Sequence, residues 1–328
     1  NFCQCMLGRI PGSLSVVSVV ACAFFAALSG SAIATTAAIG GIIYPEMVKR
    51  GYPKDYSAAV QAIGGTLGPV IPPSLLFIFY AQVTNLSVAK LLMSGVIPGI
   101  LSAISLSIVA IIIAKKNHYP VEKKSSSKEK LLAFKDAIWA LLFPIIILGG
   151  IYSGIFTPTE AALVAVVYGL IVSLLVYREL KLKDIPKIFK NAAVSTANTL
   201  VLVSLAQMFG WMVAYYNIPT IVTNAMTSVI HGKVTFLILC NIILIIAGMF
   251  MDAIPIIVIM APILHPMALS YGVDPIQFAL VVTFILCLGI ATPPFGPTLY
   301  VACGFSQEPL MKVAVKMLPF IAIQIALG

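Results

Sequence analysis

The stretch GGTLGPVIPP (64–73) interrupts one long apolar segment of the chain, and GIATPPFGP (289–297) interrupts another. Each combines glycines with a Pro-Pro pair. No continuous helix passes through such a stretch, because proline lacks the amide donor and its ring clashes with the preceding turn. The flanking apolar runs have the composition of membrane-crossing segments. We therefore predict two broken membrane helices, over residues 56–92 and 276–303.

The composition of the whole chain is that of a membrane protein. Of its 328 residues, 60% are hydrophobic and 9% are charged, against about 25% charged in soluble domains. A water-soluble fold of this size has too little interior to bury so much apolar surface. A soluble enzyme, a nucleic-acid-binding protein and a secreted scaffold are thereby excluded as default classes. The remaining prediction is an all-α polytopic membrane protein.

A pair of short apolar runs precedes each broken helix. Residues 13–48 contain two such runs, which meet at the small polar turn Ser29-Gly30-Ser31. Residues 234–269 contain two more, which meet at 248–252. Runs of this length suit a re-entrant hairpin, which returns to its own side of the bilayer, as well as two complete spans.

The two sets of features coincide when the sequence is shifted by 221 residues. The coinciding breakers are Pro45 with Pro266, Gly51 with Gly272, Gly68 with Gly289, Pro72 and Pro73 with Pro293 and Pro294, and Pro98 with Pro319. Glycine and proline punctuate local structure, so a duplicated backbone retains them while its apolar filling changes. The chain is therefore expected to contain an internal duplication.

The duplication predicts the domain organisation. Repeat 1 covers 1–114 and ends with a span over 93–114, and a basic cytoplasmic linker follows over 115–135. Repeat 2 covers 136–328 and contains scaffold spans over 136–230, the second hairpin, the second broken helix and a truncated last span over 313–328. Since repeat 2 begins before its hairpin, about 85 residues, or two to three spans, are expected ahead of Asn1.

The positive charges predict that the two repeats face opposite ways. If both hairpins are re-entrant, 18 of the 20 Lys and Arg residues fall on one side, and only Lys90 and Lys233 fall on the other. Lys and Arg mark the cytoplasmic side, so hairpin 1 enters from the cytoplasm and hairpin 2 from outside. Inverted repeats with broken helices are typical of secondary transporters.

The breaks and the hairpin turns are the candidate binding sites. Carbonyl oxygens freed by a broken helix are tolerated in a bilayer only where they face protein or a polar cavity. Together with hydroxyl groups they suit a hard cation, and half-helix N-termini suit an anion. The first candidate group is Ser29, Gly30, Ser31, Gly68, Ile71 and Pro73, and the second is Gly248, Asp252, Gly289, Thr292 and Phe295. The alternatives are helix packing through small residues for the serines and simple kinks for the breaks.

Asp252 is the strongest single candidate for a functional residue, since it is the only acidic residue between Phe236 and Leu264. A carboxylate inside a bilayer is costly and usually functional; the alternative is a solvated position at the membrane interface. An intramembrane hydrolase is disfavoured, because a serine enzyme needs a nearby His and an aspartyl enzyme needs a second acid. His265, beside Pro266 at a helix end, has no evident partner, and the six cysteines show no metal-ligand spacing. No cofactor is expected.

With these residues in place, the sequence resembles the large membrane subunit of tripartite ATP-independent periplasmic (TRAP) transporters, the DctM-like and SiaM-like family of C4-dicarboxylate and sialic-acid uptake systems. The matching stretches are SGSAIATTAAIGGIIYPEMVKRGY (29–52), GTLGPVIPPS (65–74), SGVIPGIL (94–101), GIFTPTEAALVAVVYG (154–169), GMFMDAIPIIVIMAPILHPMALSYGVDP (248–275) and LGIATPPFGPTLYVACG (288–304).

The resemblance implies a sodium-driven symporter of the bacterial inner membrane that works by an elevator movement of the hairpins and broken helices against a scaffold. It implies two partners, a small four-helix membrane subunit and a periplasmic substrate-binding protein that delivers an organic acid. A two-hairpin organic-anion carrier that needs no binding protein, coupled to sodium or protons, is the alternative. The acid itself is not indicated by the sequence.

By position, the resemblance implies three groups of residues. Sodium site 1 comprises Ser29, Ser31, Gly68, Ile71 and Pro73; sodium site 2 comprises Gly248, Gly289, Thr292 and Phe295; and the substrate cavity comprises Ser29, Ser31, Asp252, Pro72 and Pro293. Ala26 departs from family members that carry a serine there, which removes one hydroxyl ligand.

Overall fold

The computed structural model describes residues 12–120, 127–226 and 232–328. Its first helices are α1 (Ser13–Ser29), α2 (Ala32–Lys49), α3 (Lys54–Gly65), α4 (Leu75–Thr84) and α5 (Val88–Lys116). The middle of the chain forms α6 (Ser127–Tyr152), α7 (Pro158–Ile171), α8 (Ile185–Tyr215) and α9 (Ile218–Met226). The remaining helices are α10 (Lys233–Phe250), α11 (Ala253–Ser270), α12 (Pro275–Gly289), α13 (Pro297–Ser306) and α14 (Leu310–Leu327).

The described ranges contain helices and no strand, and seven of the helical segments are long and apolar enough to cross a membrane. The prediction of an all-α polytopic membrane protein is thus confirmed. The polar stretch 115–135 is helical at both ends, since α5 continues to Lys116 and α6 begins at Ser127. Its middle, like residues 1–11 and the end of the scaffold stretch at 227–231, lies outside the described residues.

The helices repeat in the register that the breakers predict. In repeat 1, α2 begins at Ala32 and α3 at Lys54; in repeat 2, α11 begins at Ala253 and α12 at Pro275, each 221 residues later. In both repeats the broken helix is two short helices joined by a non-helical stretch, α3 with α4 and α12 with α13. The duplication is therefore one of backbone structure as well as of glycine and proline positions.

The two repeats exchange their second half-helices. The described residues form two apolar cores, and Leu67 belongs to one while Val70 belongs to the other. Ile290 and Ala291 are divided between the cores in the same way. As a result α4 packs against α11 of repeat 2, and α13 packs against α2 of repeat 1. Each break is thus the point where the chain passes from one core to the other, which ties both hairpins and both broken helices into one body.

A buried polar pair fastens one of these exchanged contacts. The hydroxyl of Tyr80 on α4 and Nδ1 of His265 on α11 are 2.9 Å apart, and both side chains are buried. The partner that the sequence alone does not reveal for His265 therefore comes from the other repeat. On the opposite exchanged contact, the Tyr44 hydroxyl of α2 donates to the Ser306 carbonyl at the end of α13, at 3.3 Å.

We expect Tyr80→Phe to destabilise the folded protein, because it leaves a buried imidazole nitrogen without a partner at a cost of about 1–3 kcal/mol. The apparent unfolding temperature of the detergent-purified protein, followed by intrinsic fluorescence, should fall by several degrees. Tyr44→Phe is the matched control, since its longer bond ends on a carbonyl oxygen; it should cost less. Equal shifts for the two variants would contradict a special role for the Tyr80–His265 pair.

Candidate functional site

Both hairpin turns and both breaks meet at one small cavity of about 50 Å³. Its lining includes Gly30 and Ser31 from the first turn, Asp252 and Ala253 from the second, and Pro69 and Ile290 from the breaks. A space of this size holds a water molecule or a bare ion, and it is too small for an organic acid. The four discontinuities that the sequence predicts are therefore brought together in the structure.

The turn of hairpin 1 rests directly on the first break, and two glycines make this possible. Gly30 ends α1 in the left-handed conformation with φ 60°, and a Cβ there would lie 2.6 Å from the carbonyl oxygen of Pro73. A Cβ on Gly68 would lie 2.5 Å from the carbonyl oxygen of Ser31. Only residues without a side chain allow these backbones to come so close.

The first predicted group is rich in available oxygen atoms. Among the described residues, no hydrogen bond reaches the carbonyl oxygens of Gly68, Ile71 and Pro73. The Ile71 side chain packs against Gly99 of α5, and the peptide bond between Pro72 and Pro73 is cis. Free carbonyl oxygens beside a hydroxyl-bearing turn are the ligand type that a hard cation takes.

Thr35 belongs to this group and is not singled out by the sequence. Its side chain is buried, its hydroxyl lies 2.9 Å from that of Ser29, and it donates to the Ser31 carbonyl at 2.7 Å. Thr35 lies one helical turn after Ser31, so the hydroxyl-rich run SGSAIATT (29–36) was the available signal. Thr35 supplies a third hydroxyl near the turn, in addition to Ser29 and Ser31, whereas Ala26 supplies none.

The second predicted group also comes together. Gly248 and Gly289 lie backbone to backbone, since a Cβ on Gly248 would be 2.8 Å from the Gly289 Cα. The Phe295 amide donates to the carbonyl of Met249 in the hairpin turn at 2.9 Å. The Thr292 hydroxyl donates to the carbonyl of Leu288 at 2.7 Å, which leaves its lone pairs available as ligands.

Asp252 occupies the N-cap of α11, the position that Ser31 holds on α2. Its Oδ1 accepts the amide hydrogen of Ala253 at 2.8 Å, and the residue is exposed where it borders the cavity. The carboxylate thus lies at a helix start beside the cavity, where the positive end of the helix dipole stabilises it. The cavity lining does not include three of the residues predicted for the substrate cavity, Ser29, Pro72 and Pro293. It also does not include most residues of the two predicted sodium sites, namely Gly68, Ile71, Pro73, Gly248, Gly289, Thr292 and Phe295.

Two helical hairpins and two broken helices whose turns and breaks meet at one small cavity are typical of a membrane transport protein rather than an enzyme. The chain belongs to the DctM component family of tripartite ATP-independent periplasmic transporters, whose sequence profile matches residues 1–327. It is accordingly a multi-pass protein of the bacterial inner membrane.

Individual relatives agree with this assignment. The chain is 40% identical over 327 residues to the isethionate TRAP transporter permease protein DctMQ of Oleidesulfovibrio alaskensis, and these residues span 99% of this chain and 52% of that protein. It is 37% identical to the C4-dicarboxylate large permease protein DctM of Rhodobacter capsulatus, over 99% of this chain and 77% of the relative. It is 34% identical to the sialic acid large permease protein SiaM of Vibrio cholerae, over 98% of this chain and 75% of the relative.

A solved structure shares the fold. The YdaH transporter of Alcanivorax borkumensis, described as having an unusual topology, superimposes with a TM-score of 0.64 over 99% of this chain and 81% of its own. Its sequence is 15% identical, so the similarity concerns the fold alone.

Proposed function

We propose that this chain is the large membrane subunit of a sodium-coupled secondary transporter that imports an organic acid by alternating access. The observation that carries the proposal is the meeting of two hairpin turns and two breaks at one cavity. Broken helices at such a point supply ion ligands through their carbonyls and bind anionic groups at their N-termini. The relatives named for isethionate, C4-dicarboxylate and sialic acid transport favour an acidic substrate.

Sodium is proposed as the coupling ion on the chemistry of the ligands. The first group offers neutral carbonyl and hydroxyl oxygens and no sulfur or imidazole ligand, a set suited to a small hard cation. Sodium site 1 would use Ser29, Ser31, Gly68, Ile71 and Pro73, and site 2 would use Gly248, Gly289, Thr292 and Phe295. Asp252 and Ser31 would border the path of the acid, at the N-termini of α11 and α2.

An elevator movement is proposed because the hairpins cannot move alone. The exchanged contacts of α4 with α11 and of α13 with α2 bind both hairpins to both broken helices. The helices between the repeats expose many large apolar side chains, including Leu163 and Met208, as expected of a scaffold that faces lipid or a partner. The proposed partners are a small four-helix membrane subunit and a periplasmic substrate-binding protein.

The test is uptake by the full-length protein, reconstituted with its small subunit and binding protein in liposomes. Labelled succinate, N-acetylneuraminate and isethionate are the probes. We expect an inward sodium gradient to drive accumulation, and replacement of sodium by potassium to lower the initial rate about tenfold or more, since coupling requires the ion to bind with the substrate. Uptake that is indifferent to sodium and follows a pH gradient would remove the sodium assignment. Uptake that persists without the binding protein would favour the binding-protein-independent carrier.

A further inference from the structure

A row of buried polar side chains runs along the contact between α1 and α3. It comprises Ser15, Ser18 and Cys22 on α1 and Ser57 and Gln61 on α3, all fully buried; we call it the polar seam. Its members recur every three or four residues, so each helix contributes one polar side chain per turn to the same face. Within the seam the Ser18 hydroxyl donates to Oε1 of Gln61 at 2.7 Å.

The polar seam leads to the first candidate cation site. Above Gln61, the Cys22 sulfur faces Gly64, where a Cβ would lie 2.9 Å from it. The next residue, Gly65, faces the Thr36 hydroxyl of α2. The next glycine of the row is Gly68, which rests on the hairpin turn at Ser31. A glycine or a polar group therefore occupies every turn between the seam and the site.

Aromatic rings lie at the other end of the polar seam, at the base of hairpin 1. Tyr119 packs against Tyr52 and Tyr56, with ring centroids 5.1 and 5.0 Å apart. These rings lie beside the basic segment 49–54, which the charge distribution places in the cytoplasm. The polar seam, continued by Gly64, Gly65 and Gly68, thus runs from the cytoplasmic base of the hairpin to its turn.

Several hydroxyls at this lower end have no partner. The side-chain oxygens of Ser13, Ser15 and Ser57 are buried and make no hydrogen bond within the described structure. Leaving buried polar atoms unpaired costs free energy, and ordered water is the usual partner of such groups. These three atoms therefore indicate a place that water enters.

The same helix contact in repeat 2 is filled differently. The counterparts of Ser15 and Ser57 at a shift of 221 are Phe236 and Phe278, whose ring centroids are 5.7 Å apart, and the counterpart of Gln61 is Val282. These side chains are buried in an apolar core. Since α10 and α12 pack without a polar row, the fold does not need one to hold this helix pair together.

Two unpartnered polar atoms do occur on this helix pair of repeat 2, Oδ1 of Asn241 on α10 and Oγ1 of Thr283 on α12. Their counterparts in repeat 1 are Val20 and Ala62, which are not members of the polar seam. The continuous polar row is therefore confined to the repeat whose hairpin opens to the cytoplasm.

We propose that the polar seam is a hydrated passage through which a small hard monovalent cation exchanges between the first candidate site and the cytoplasm. The identification of this cation as sodium rests on the proposed sodium coupling. The apolar contact between α10 and α12 in repeat 2 prevents such exchange at the second hairpin. The cation therefore exchanges along the first hairpin and not along the second.

Native cysteines give a test that leaves the fold intact. Two single-cysteine proteins are made by replacing the other cysteines with alanine. One keeps Cys22, which reports on the polar seam, and the other keeps Cys287, a buried residue of α12 in repeat 2. Full-length protein in inverted membrane vesicles is treated with the small cation 2-aminoethyl methanethiosulfonate, and the remaining thiols are counted with a fluorescent maleimide after denaturation. We expect Cys22 to react at least about tenfold faster than Cys287, because thiol modification follows access of the reagent.

Gln61→Val, which installs the repeat 2 residue, should lower the Cys22 rate to that of Cys287 while the gel-filtration profile stays unchanged. Saturating sodium, compared with potassium, should slow the reaction of Cys22 alone. Equal rates for Cys22 and Cys287, or a Cys22 rate insensitive to Gln61→Val, would overturn the passage. A fast Cys22 reaction whose rate does not depend on sodium would show that the passage is hydrated but would overturn sodium as the ion that occupies it. This result does not depend on whether uptake requires sodium.

Discussion

Gly68→Ala is expected to reduce uptake about tenfold or more, because it drives a side chain into the backbone of the hairpin turn. The new Cβ would lie 2.5 Å from the Ser31 carbonyl oxygen and 2.9 Å from the Ala32 amide nitrogen. Neither atom belongs to a flexible side chain, so the turn must lift away from the break. The measurement is the initial rate of substrate uptake in the reconstituted system at saturating sodium.

Gly41→Ala is the matched control for this variant. Gly41 lies in α2 of the same hairpin, and no atom within 4 Å opposes a Cβ there. Alanine favours a helix over glycine by up to about 1 kcal/mol, so this variant should fold and transport normally. Normal uptake by Gly68→Ala, at an expression level equal to that of Gly41→Ala, would show that the turn and the break are not required to be in contact.

Asp252→Asn is expected to reduce uptake about tenfold or more, while leaving the protein folded. Asparagine caps helices as well as aspartate does, so the bond to the Ala253 amide is retained and α11 still begins at the same residue. What is lost is the negative charge beside the cavity, a charge of the kind that membrane proteins keep for function. The measurement is uptake together with the apparent unfolding temperature.

Asp274→Asn provides the comparison, since Asp274 caps α12 in the same repeat and its Oδ1 accepts two amide hydrogens, each at 2.9 Å. It does not border the cavity, so its variant should retain uptake. A similar loss of uptake in both variants would reduce Asp252 to a helix cap. Full uptake by Asp252→Asn would exclude a role for its charge in transport.

Local chemistry explains which features were predictable from the sequence. The breaks at 64–73 and 289–297 follow from glycine and proline, whose effect on the backbone needs no tertiary partner. The N-cap at Ser31 has the same local origin, since a serine beside a glycine ends one helix and begins the next. Both candidate groups were proposed in this way, because their members lie in the breaks or are the small and polar residues of the turns.

Two residues escaped prediction for different reasons. Thr35 lies six residues after its partner Ser29, within a hydroxyl-rich run that carried its signal, whereas His265 depends on a distant partner. His265 gains a partner from Tyr80, 185 residues earlier in the chain. No periodicity or spacing reveals such pairs, since each residue taken alone fits an ordinary apolar helix.

The sequence by itself determined that this protein lies in a membrane, that its backbone is duplicated and where its helices are interrupted, because composition and local backbone chemistry act residue by residue. Only the tertiary structure decided that each break carries the chain into the other repeat's core and that Gly68 rests on Ser31. The physical reason is that apolar side chains specify burial and not a partner, so shape complementarity between distant segments selects which half-helix completes which core.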